Sequence, residues 1–134
     1  MPRPAIVYTL IHPETGNLIL EHRLNQSKAY HDQVIFPGGT VENEDLLVAL
    51  SREVLEEMDI TVIRAIPIPT DHLLFSPSGK QLHPFLILEF TGQIPKNILD
   101  TNNPIIQVPL SEILNSPIDM VKQIALGLSK LKSA

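Results

Sequence analysis

The sequence predicts an α/β fold in which a mixed β-sheet is flanked by two helices, within a single domain covering residues 1–134. Two observations predict it. Runs rich in β-branched residues recur along the chain, as in ITVIRAIPI at 60–68, and two segments show apolar residues at helical spacing. Because strands and helices do not alternate in step, we expect a mixed or mostly antiparallel sheet rather than repeated βαβ units.

The first strands are expected to form a hairpin. AIVYTLI at 5–11 and LILEHRL at 18–24 are strand-like and lie on either side of the turn HPETGN. QVIFPGG at 33–39 then predicts a short strand that ends at Pro37 and a tight glycine turn.

The first helix is predicted to run from Asn43 to about Asp59. Asn43 is a good N-cap, and Glu44 and Asp45 suit the positive end of the helix dipole. Its apolar face is predicted to contain four residues, Leu47, Leu50, Val54 and Met58.

The second half of the chain supplies further strands and the second helix. In the strand at 60–68, Pro67 and Pro69 favour a sheet edge or a bulge. HLLFS, PSGK and QLHPFLILEF at 72–90 predict a second hairpin, and IIQVPL at 105–110 predicts a short strand. The last helix is predicted to have Ser116 as its cap, Pro117 as its first residue and an apolar stripe of Ile118, Val121, Ile124, Ala125, Leu128 and Leu131.

Composition excludes several classes of function. With no cysteine, the chain has no disulfide scaffold, thiolate metal site or cysteine nucleophile. The five histidines show no metal-ligand spacing. No apolar run approaches a membrane span, and the N-terminal stretch is too short for a signal peptide, so we expect a cytoplasmic protein without membrane contacts.

The net charge of −5 is concentrated in one segment. Residues 42–59 hold seven acids and one base, whereas the rest of the chain holds eight acids and nine bases. This distribution argues against an extended nucleic-acid-binding surface, which needs a basic patch.

Three glutamates, Glu53, Glu56 and Glu57, share one side of the first helix with Arg52. Like charges at this spacing each cost roughly 0.2 to 0.5 kcal/mol, and one arginine cannot offset three carboxylates. Mg²⁺ or Mn²⁺ could do so, since both take oxygen ligands. The alternative is a solvated acidic face.

The segment from Gly38 to Ile60 resembles the signature of the Nudix hydrolases, G-x5-E-x7-R-E-U-x-E-E-x-G-U, in which U is a bulky aliphatic residue. Gly38, Glu44, the pair Arg52-Glu53 and the pair Glu56-Glu57 stand at the required spacing. One position departs from the signature, because Asp59 replaces a glycine.

The resemblance implies a Nudix-type α/β/α sandwich that hydrolyses a nucleoside diphosphate linked to another group X. It implies Mg²⁺ (or Mn²⁺) as cofactor, a small nucleotide-diphosphate substrate as partner, and leaves a homodimer open. The metal ligands would be Glu53, Glu56 and Glu57, with a backbone oxygen from Gly38 or Gly39. Glu53, Glu56 and Arg52 would be catalytic, with Arg52 orienting Glu53, and Glu44 would hold the loop or a water of a second metal ion. For the general base, Glu56 or Glu53 is preferred, and Glu89, Asp100 and Glu112 are alternatives outside the motif.

Substrate contacts are predicted less specifically. Arg23 and Lys28 lie in a stretch distantly similar to an upstream motif of coenzyme A pyrophosphatases, although Asp32 replaces an expected glycine. Other candidates are Arg64 and Lys80 for phosphate contacts, and Tyr8, Tyr30, Phe75 or Phe85 for stacking on a base. Pro77 lies in the region where ADP-ribose-type members of the family carry a proline, and it also fits a hairpin turn. Two further readings stay open, a catalytically silent nucleotide- or partner-binding module and a metal-free structural domain.

Overall fold

The computed structural model describes residues 2–24 and 30–133 of the chain. Strands and helices follow one another in these two ranges in an irregular order, as the sequence predicts. They are β1 (Pro4–Leu10), β2 (Leu18–Arg23), β3 (Gln33–Ile35), β4 (Gly38–Thr40), α1 (Leu46–Met58), β5 (Thr61–Pro67), β6 (Leu74–Phe75), β7 (Gln81–Thr91), β8 (Ile105–Val108), α2 (Leu110–Ile113) and α3 (Asp119–Ser133).

The larger sheet is mixed, as expected. Its strand order is β4-β1-β7-β5, with β6 also paired to β7. β1 and β7 run parallel, whereas the other pairs are antiparallel. A second sheet of three antiparallel strands has the order β3-β2-β8.

The predicted first hairpin is wrong, because β1 and β2 belong to different sheets. The turn itself forms, with a bridge between Ile11 and Leu18 and a hydrogen bond from the His12 N–H to the Asn17 carbonyl (2.8 Å). Beyond that bridge the strands diverge. Both edges of β1 are already paired, one with β4 and the other with β7, so β2 pairs with β3 and β8 instead.

Side chains of β1 alternate between two buried clusters, as the pleat of a strand requires. Ala5 and Val7 pack in the cluster that contains the buried residues of α3. Ile6, Tyr8 and Leu10 pack in the cluster that contains the buried residues of α1. The sheet therefore lies between α1 and α3, which is the predicted α/β/α layering.

Helix α1 begins at Leu46, three residues after the predicted cap Asn43. Asp45 stands at the cap in extended conformation, and its side chain makes no capping hydrogen bond. The carboxylate of Glu44 accepts hydrogen bonds from Arg52 instead of starting the helix. Leu47 was expected in the core but is 55% exposed. The predicted end is confirmed, because Asp59 is the C-cap.

Helix α3 begins at Asp119 rather than at Pro117. The Ser116 hydroxyl accepts a hydrogen bond from the Ile118 N–H (3.1 Å), which caps the turn before the helix. The apolar stripe is confirmed, since its central members are buried and its two end members pack against them. The short helix α2 was not predicted.

The middle of the chain follows the prediction more closely. β5 is an edge strand with register shifts on either side of Arg64. β6 and β7 form the second hairpin, with Leu74 opposite Leu82 and Phe75 opposite Gln81. No helix in the part of the chain described is long and apolar enough to cross a membrane.

Candidate active site

The two glycines of the motif lie in a strand, which corrects the predicted tight turn. Gly38 and Gly39 pair with Val7 and Ile6 of β1, and neither has a positive φ. Glycine is required at both positions because neighbouring groups lie too close to the backbone to leave room for a Cβ. A Cβ at Gly38 would overlap the Ile6 carbonyl oxygen, and a Cβ at Gly39 would overlap the carboxylate of Glu53. The glycine pair therefore lets α1 bring its glutamate against the backbone of β4.

Arg52 joins α1 to the segment before it. Its Nε donates to both carboxylate oxygens of Glu44 (3.1 and 3.2 Å), and its Nη1 donates to Glu53 Oε1 (2.9 Å). Its Nη2 also donates to the Thr40 carbonyl at 3.2 Å. The hydrogen bonds from Arg52 lower the pKa of Glu44, and those same bonds raise the pKa of Arg52. Arg52 thus contacts other protein groups, and it fixes the orientation of Glu53.

Glu57 is a buried carboxylate held by Tyr8. The Tyr8 hydroxyl donates to Glu57 Oε1 at 2.9 Å, and both residues are buried. Burial above all, together with the nearby carboxylates of Glu53, Glu21 and Asp100, raises the pKa of Glu57 to about 9, although the Tyr8 hydrogen bond lowers it. In the metal-free protein, Glu57 therefore carries a proton at neutral pH.

Glu53 is hydrogen-bonded to Arg52 and lies near Glu57. Its side chain is almost wholly buried, and burial raises its pKa, although the hydrogen bond from Arg52 opposes the increase. Glu56 differs from both, because its side chain is 52% exposed and its nearest ion-pair partner is Arg52 Nη1 at 3.6 Å. Of the three clustered glutamates on α1, Glu53 and Glu57 thus face inward, and Glu56 faces solvent.

The oxygen donors of the three glutamates fit a hard divalent cation, although their carboxylates do not point to one common position. Within residues 2–24 and 30–133, no group of three His, Cys, Asp or Glu side chains is arranged to hold a metal ion. Glu53 is turned toward Arg52, Glu57 toward Tyr8, and Glu56 outward. All three side chains supply oxygen donors, which Mg²⁺ and Mn²⁺ prefer. A buried carboxylate with acidic neighbours also lacks a compensating positive charge, and a divalent cation would supply it.

A cavity of about 560 Å³ opens beside these residues. Of the predicted metal ligands, Glu53, Glu57, Gly38 and Gly39 line it, whereas Glu56 does not. Arg52, predicted as a catalytic residue, does not line it either. The remaining polar lining comes from Thr40 of β4 and from other parts of the chain. These are Glu21 and Arg23 of β2, Tyr30, the turn residues Ser76, Ser78 and Lys80, and Asp100, Thr101 and Asn103.

Residues 1–122 match the NUDIX domain family. The chain belongs to the Nudix family. No curated protein has a sequence significantly similar to that of this chain.

Solved Nudix structures share the fold at low sequence identity. The MutT protein from Methanosarcina mazei Go1 has a TM-score of 0.79 and 19% identity, covering 99% of this chain and 97% of its own. The MutT Nudix hydrolase from Burkholderia pseudomallei has a TM-score of 0.75 and 17% identity, covering 96% and 98%. The Nudix domain of Shewanella oneidensis NrtR, complexed with ADP ribose, has a TM-score of 0.73 and 16% identity, covering 98% and 89%. The α/β/α fold predicted from the sequence is therefore confirmed.

Two buried polar residues outside the Nudix motif reach the cavity without having been singled out in the sequence. Glu21 is buried, and its carboxylate accepts from Arg23 Nη2 (3.2 Å) and from Asn103 Nδ2 (3.1 Å). Asn103 is also buried, and its Oδ1 accepts from the Leu24 N–H. One signal was available for Glu21, because an acid follows the apolar run LIL in a strand. Asn103 gave no such signal, since it lies in an ordinary polar loop.

The residues proposed outside the motif are scattered. Arg23, Tyr30, Pro77, Lys80 and Asp100 line the cavity. The others do not: Glu89 pairs with Arg64 at the surface, Glu112 is exposed on α2, Phe75 is 46% exposed, and Tyr8 and Phe85 are buried in the core. Lys28 lies outside the described residues.

Proposed function

We propose that this Nudix protein is a Mg²⁺-dependent hydrolase that cleaves the diphosphate linkage of a nucleoside diphosphate joined to another group X. Family membership supports a hydrolase that acts on pyrophosphate bonds. The observation that carries the proposal is the cavity in which Glu53 and Glu57 meet the glycine strand. The NrtR domain, which is similar in fold, was crystallised with ADP ribose, and this supports a nucleotide derivative as substrate.

The proposed metal ligands are Glu53, Glu56 and Glu57, with a carbonyl oxygen from Gly38 or Gly39. When bound, Mg²⁺ would neutralise charge on the diphosphate and lower the pKa of the attacking water. Binding requires Glu57 to lose its proton and Glu56 to turn inward from its 3.6 Å contact with Arg52. The turn of Glu56 is accessible, because this side chain is half exposed and weakly paired.

Other residues position these ligands. Arg52 holds Glu53 through a hydrogen bond of 2.9 Å and is itself held by Glu44. Arg23, paired with Glu21 at the cavity wall, would contact a substrate phosphate. For the general base we prefer Glu56, because its carboxylate has the loosest contacts among the motif glutamates and is free to accept a proton from water. Asp100 is the alternative outside the motif that also lines the cavity.

A panel of nucleoside triphosphates, dinucleoside polyphosphates and nucleotide sugars, assayed with and without Mg²⁺, tests the activity. Glu56→Gln should lower the rate by about 10² to 10⁴-fold, as expected for loss of a general base or a metal ligand. Glu112→Gln is the matched control, since Glu112 is an exposed acid on α2 outside the cavity, and it should leave the rate unchanged.

An unchanged rate in Glu56→Gln would reject the role of Glu56. Absence of turnover across the panel, together with tight binding of one member, would instead favour a catalytically silent binding module. The cytoplasmic location and the homodimer stay predictions, which fractionation and sedimentation would test.

A further inference from the structure

The turn between β6 and β7 contributes a cation to the cavity. Lys80 lines the cavity, and its Nζ donates a hydrogen bond of 2.7 Å to the Thr40 hydroxyl. Thr40 is the last residue of β4, directly after the glycine that contacts Glu53. The ammonium group of Lys80 therefore lies at the glycine strand of the proposed catalytic site, although it is 40 residues away in sequence.

Lys80 has no acidic partner in the described part of the chain. The ion pairs formed there use other bases, which are Arg23, Arg52, Arg64, Lys130 and His22. Lys80 is half-buried, and its one side-chain partner is an uncharged hydroxyl. A partly desolvated ammonium group without a counter-charge favours an anion beside it.

The turn that carries Lys80 is held in shape by its own hydrogen bonds. The Ser76 N–H donates to the Lys80 carbonyl (2.8 Å), and the Lys80 N–H donates to Ser76 Oγ (3.0 Å). The Gly79 N–H donates to the Ser76 carbonyl, and the hydroxyls of Ser76 and Ser78 lie 2.9 Å apart. Ser76 and Ser78 line the same cavity as Thr40 and Lys80. Because the turn is already held in shape, little ordering is left for a ligand to impose.

The charges on the cavity wall make this position distinct. The other titratable residues that line it are mainly acids, namely Glu21, Glu53, Glu57 and Asp100, and its second cation, Arg23, is paired with Glu21. An anionic group next to the diphosphate would be repelled by those acids and attracted to Lys80. Lysine binds phosphate commonly, as a compact positive charge.

We propose that Thr40, Ser76, Ser78 and Lys80 form a subsite for a phosphate group on X, beyond the diphosphate linkage that is cleaved. The proposal rests on the proposed function for the placement of that linkage. It names the substrate class, because X would end in a phosphate rather than in a neutral sugar.

Inorganic phosphate binding to the metal-free full-length chain tests the subsite without requiring turnover. Backbone amide NMR shifts should cluster at Thr40 and at Ser76 to Lys80. Lys80→Met, which keeps the aliphatic stem, should weaken the binding by about tenfold, whereas Lys122→Met, an exposed lysine on α3, should leave it unchanged. Lys80→Gln is a second variant in case the first does not fold. Shifts scattered over the surface, or equal phosphate affinity in all variants, would overturn the proposal.

Steady-state kinetics then connects the subsite to the substrate. Lys80→Met should raise KM for ATP, in which X is a phosphate, and leave KM for ADP-ribose, in which X ends in a sugar, unchanged. If the wild type turns over substrate but binds no phosphate at these residues, the subsite is rejected and the proposed hydrolase stands. If it binds phosphate there but turns over no substrate, the proposed hydrolase is rejected instead.

Discussion

The Tyr8 hydroxyl donates a hydrogen bond to Glu57 Oε1 across 2.9 Å, joining residues 49 positions apart in sequence. Tyr8 belongs to β1 at the centre of the larger sheet, and Glu57 belongs to the last turn of α1. Since both are buried, this contact orients one of the proposed metal ligands from the sheet side. Because a hydroxyl donor stabilises the ionised form of a carboxylate, this contact lowers the pKa of Glu57 and favours the state that binds a metal.

Tyr8→Phe should weaken metal binding. The variant loses the hydrogen bond that lowers the pKa of Glu57, so the pKa rises further and less of the carboxylate is ionised at pH 7. A hydrogen bond worth about 0.5 to 1.5 kcal/mol corresponds to a loss of affinity of roughly two- to tenfold. Calorimetric titration with Mn²⁺ measures it. Tyr30→Phe, which removes a hydroxyl elsewhere on the cavity wall, is the control; equal affinity in Tyr8→Phe and the wild type would contradict the proposed role.

Glu57→Gln should make metal-free stability less dependent on pH. The pKa of Glu57 is near 4.5 in the unfolded chain and about 9 in the folded one, so the folded state holds an extra proton between these values. The resulting stability is fully present below pH 4.5 and is lost as pH rises toward 9. Between pH 5 and pH 8 the wild type should lose roughly 2 to 4 kcal/mol relative to Glu57→Gln.

Urea denaturation in the presence of a chelator measures this difference. Both proteins contain the same other titratable groups, so the contributions of those that do not interact with Glu57 cancel in the comparison. The same variant should bind Mn²⁺ poorly, since the amide oxygen carries no charge. Parallel stability curves from pH 5 to pH 8 would show that Glu57 does not titrate in this range.

How far the sequence predicts the structure depends on whether a feature is local. The stripe of α3 and the hairpin of β6 and β7 follow from spacing within one segment, and both are confirmed. Strand partners are not local. The pairing of β1 with β7 joins Ala5 to Leu82, and nothing within residues 5–24 shows that both edges of β1 are occupied.

The candidate site shows the same division. The motif identifies Glu53, Glu56 and Glu57 through their spacing, but spacing does not reveal that Glu56 lies outward while the other two are buried. The start of α1 was misplaced because Arg52, eight residues later, binds Glu44. Asn103 reaches the site through a hydrogen bond to Glu21, which lies 82 residues away in sequence. Tertiary contacts of this kind override local helix and turn preferences.

Gly39→Ala should abolish activity while leaving most of the fold intact. The new Cβ would occupy the position of the Glu53 carboxylate, which is the end of a side chain and can be displaced. Gly38→Ala should instead lower the free energy of unfolding strongly, because its Cβ would meet the Ile6 backbone. Thermal denaturation and the Mg²⁺-dependent assay distinguish the two. If Gly39→Ala retained full activity, Glu53 would not need the position seen here.

Asp59→Gly should stabilise the protein slightly without changing its activity. Asp59 ends α1 in a left-handed conformation, with φ 54° and ψ 38°, and its N–H donates to the Leu55 carbonyl at 3.0 Å. Glycine adopts this conformation without a Cβ penalty, although it also gives the unfolded chain more freedom. We expect a net gain of about 0.5 kcal/mol for glycine, and a loss of about 1 kcal/mol for Asp59→Ala, because alanine tolerates the left-handed region less well than aspartate.

Urea denaturation of the three proteins gives the ranking, and the hydrolase assay gives the control. The side chain of Asp59 is exposed and does not line the cavity, so kcat/KM should be equal in all three. Equal stability of the alanine and glycine variants would mean that the backbone conformation at the C-cap relaxes. A fall in activity with glycine would mean that Asp59, which departs from the Nudix signature, has a role of its own in the chemistry.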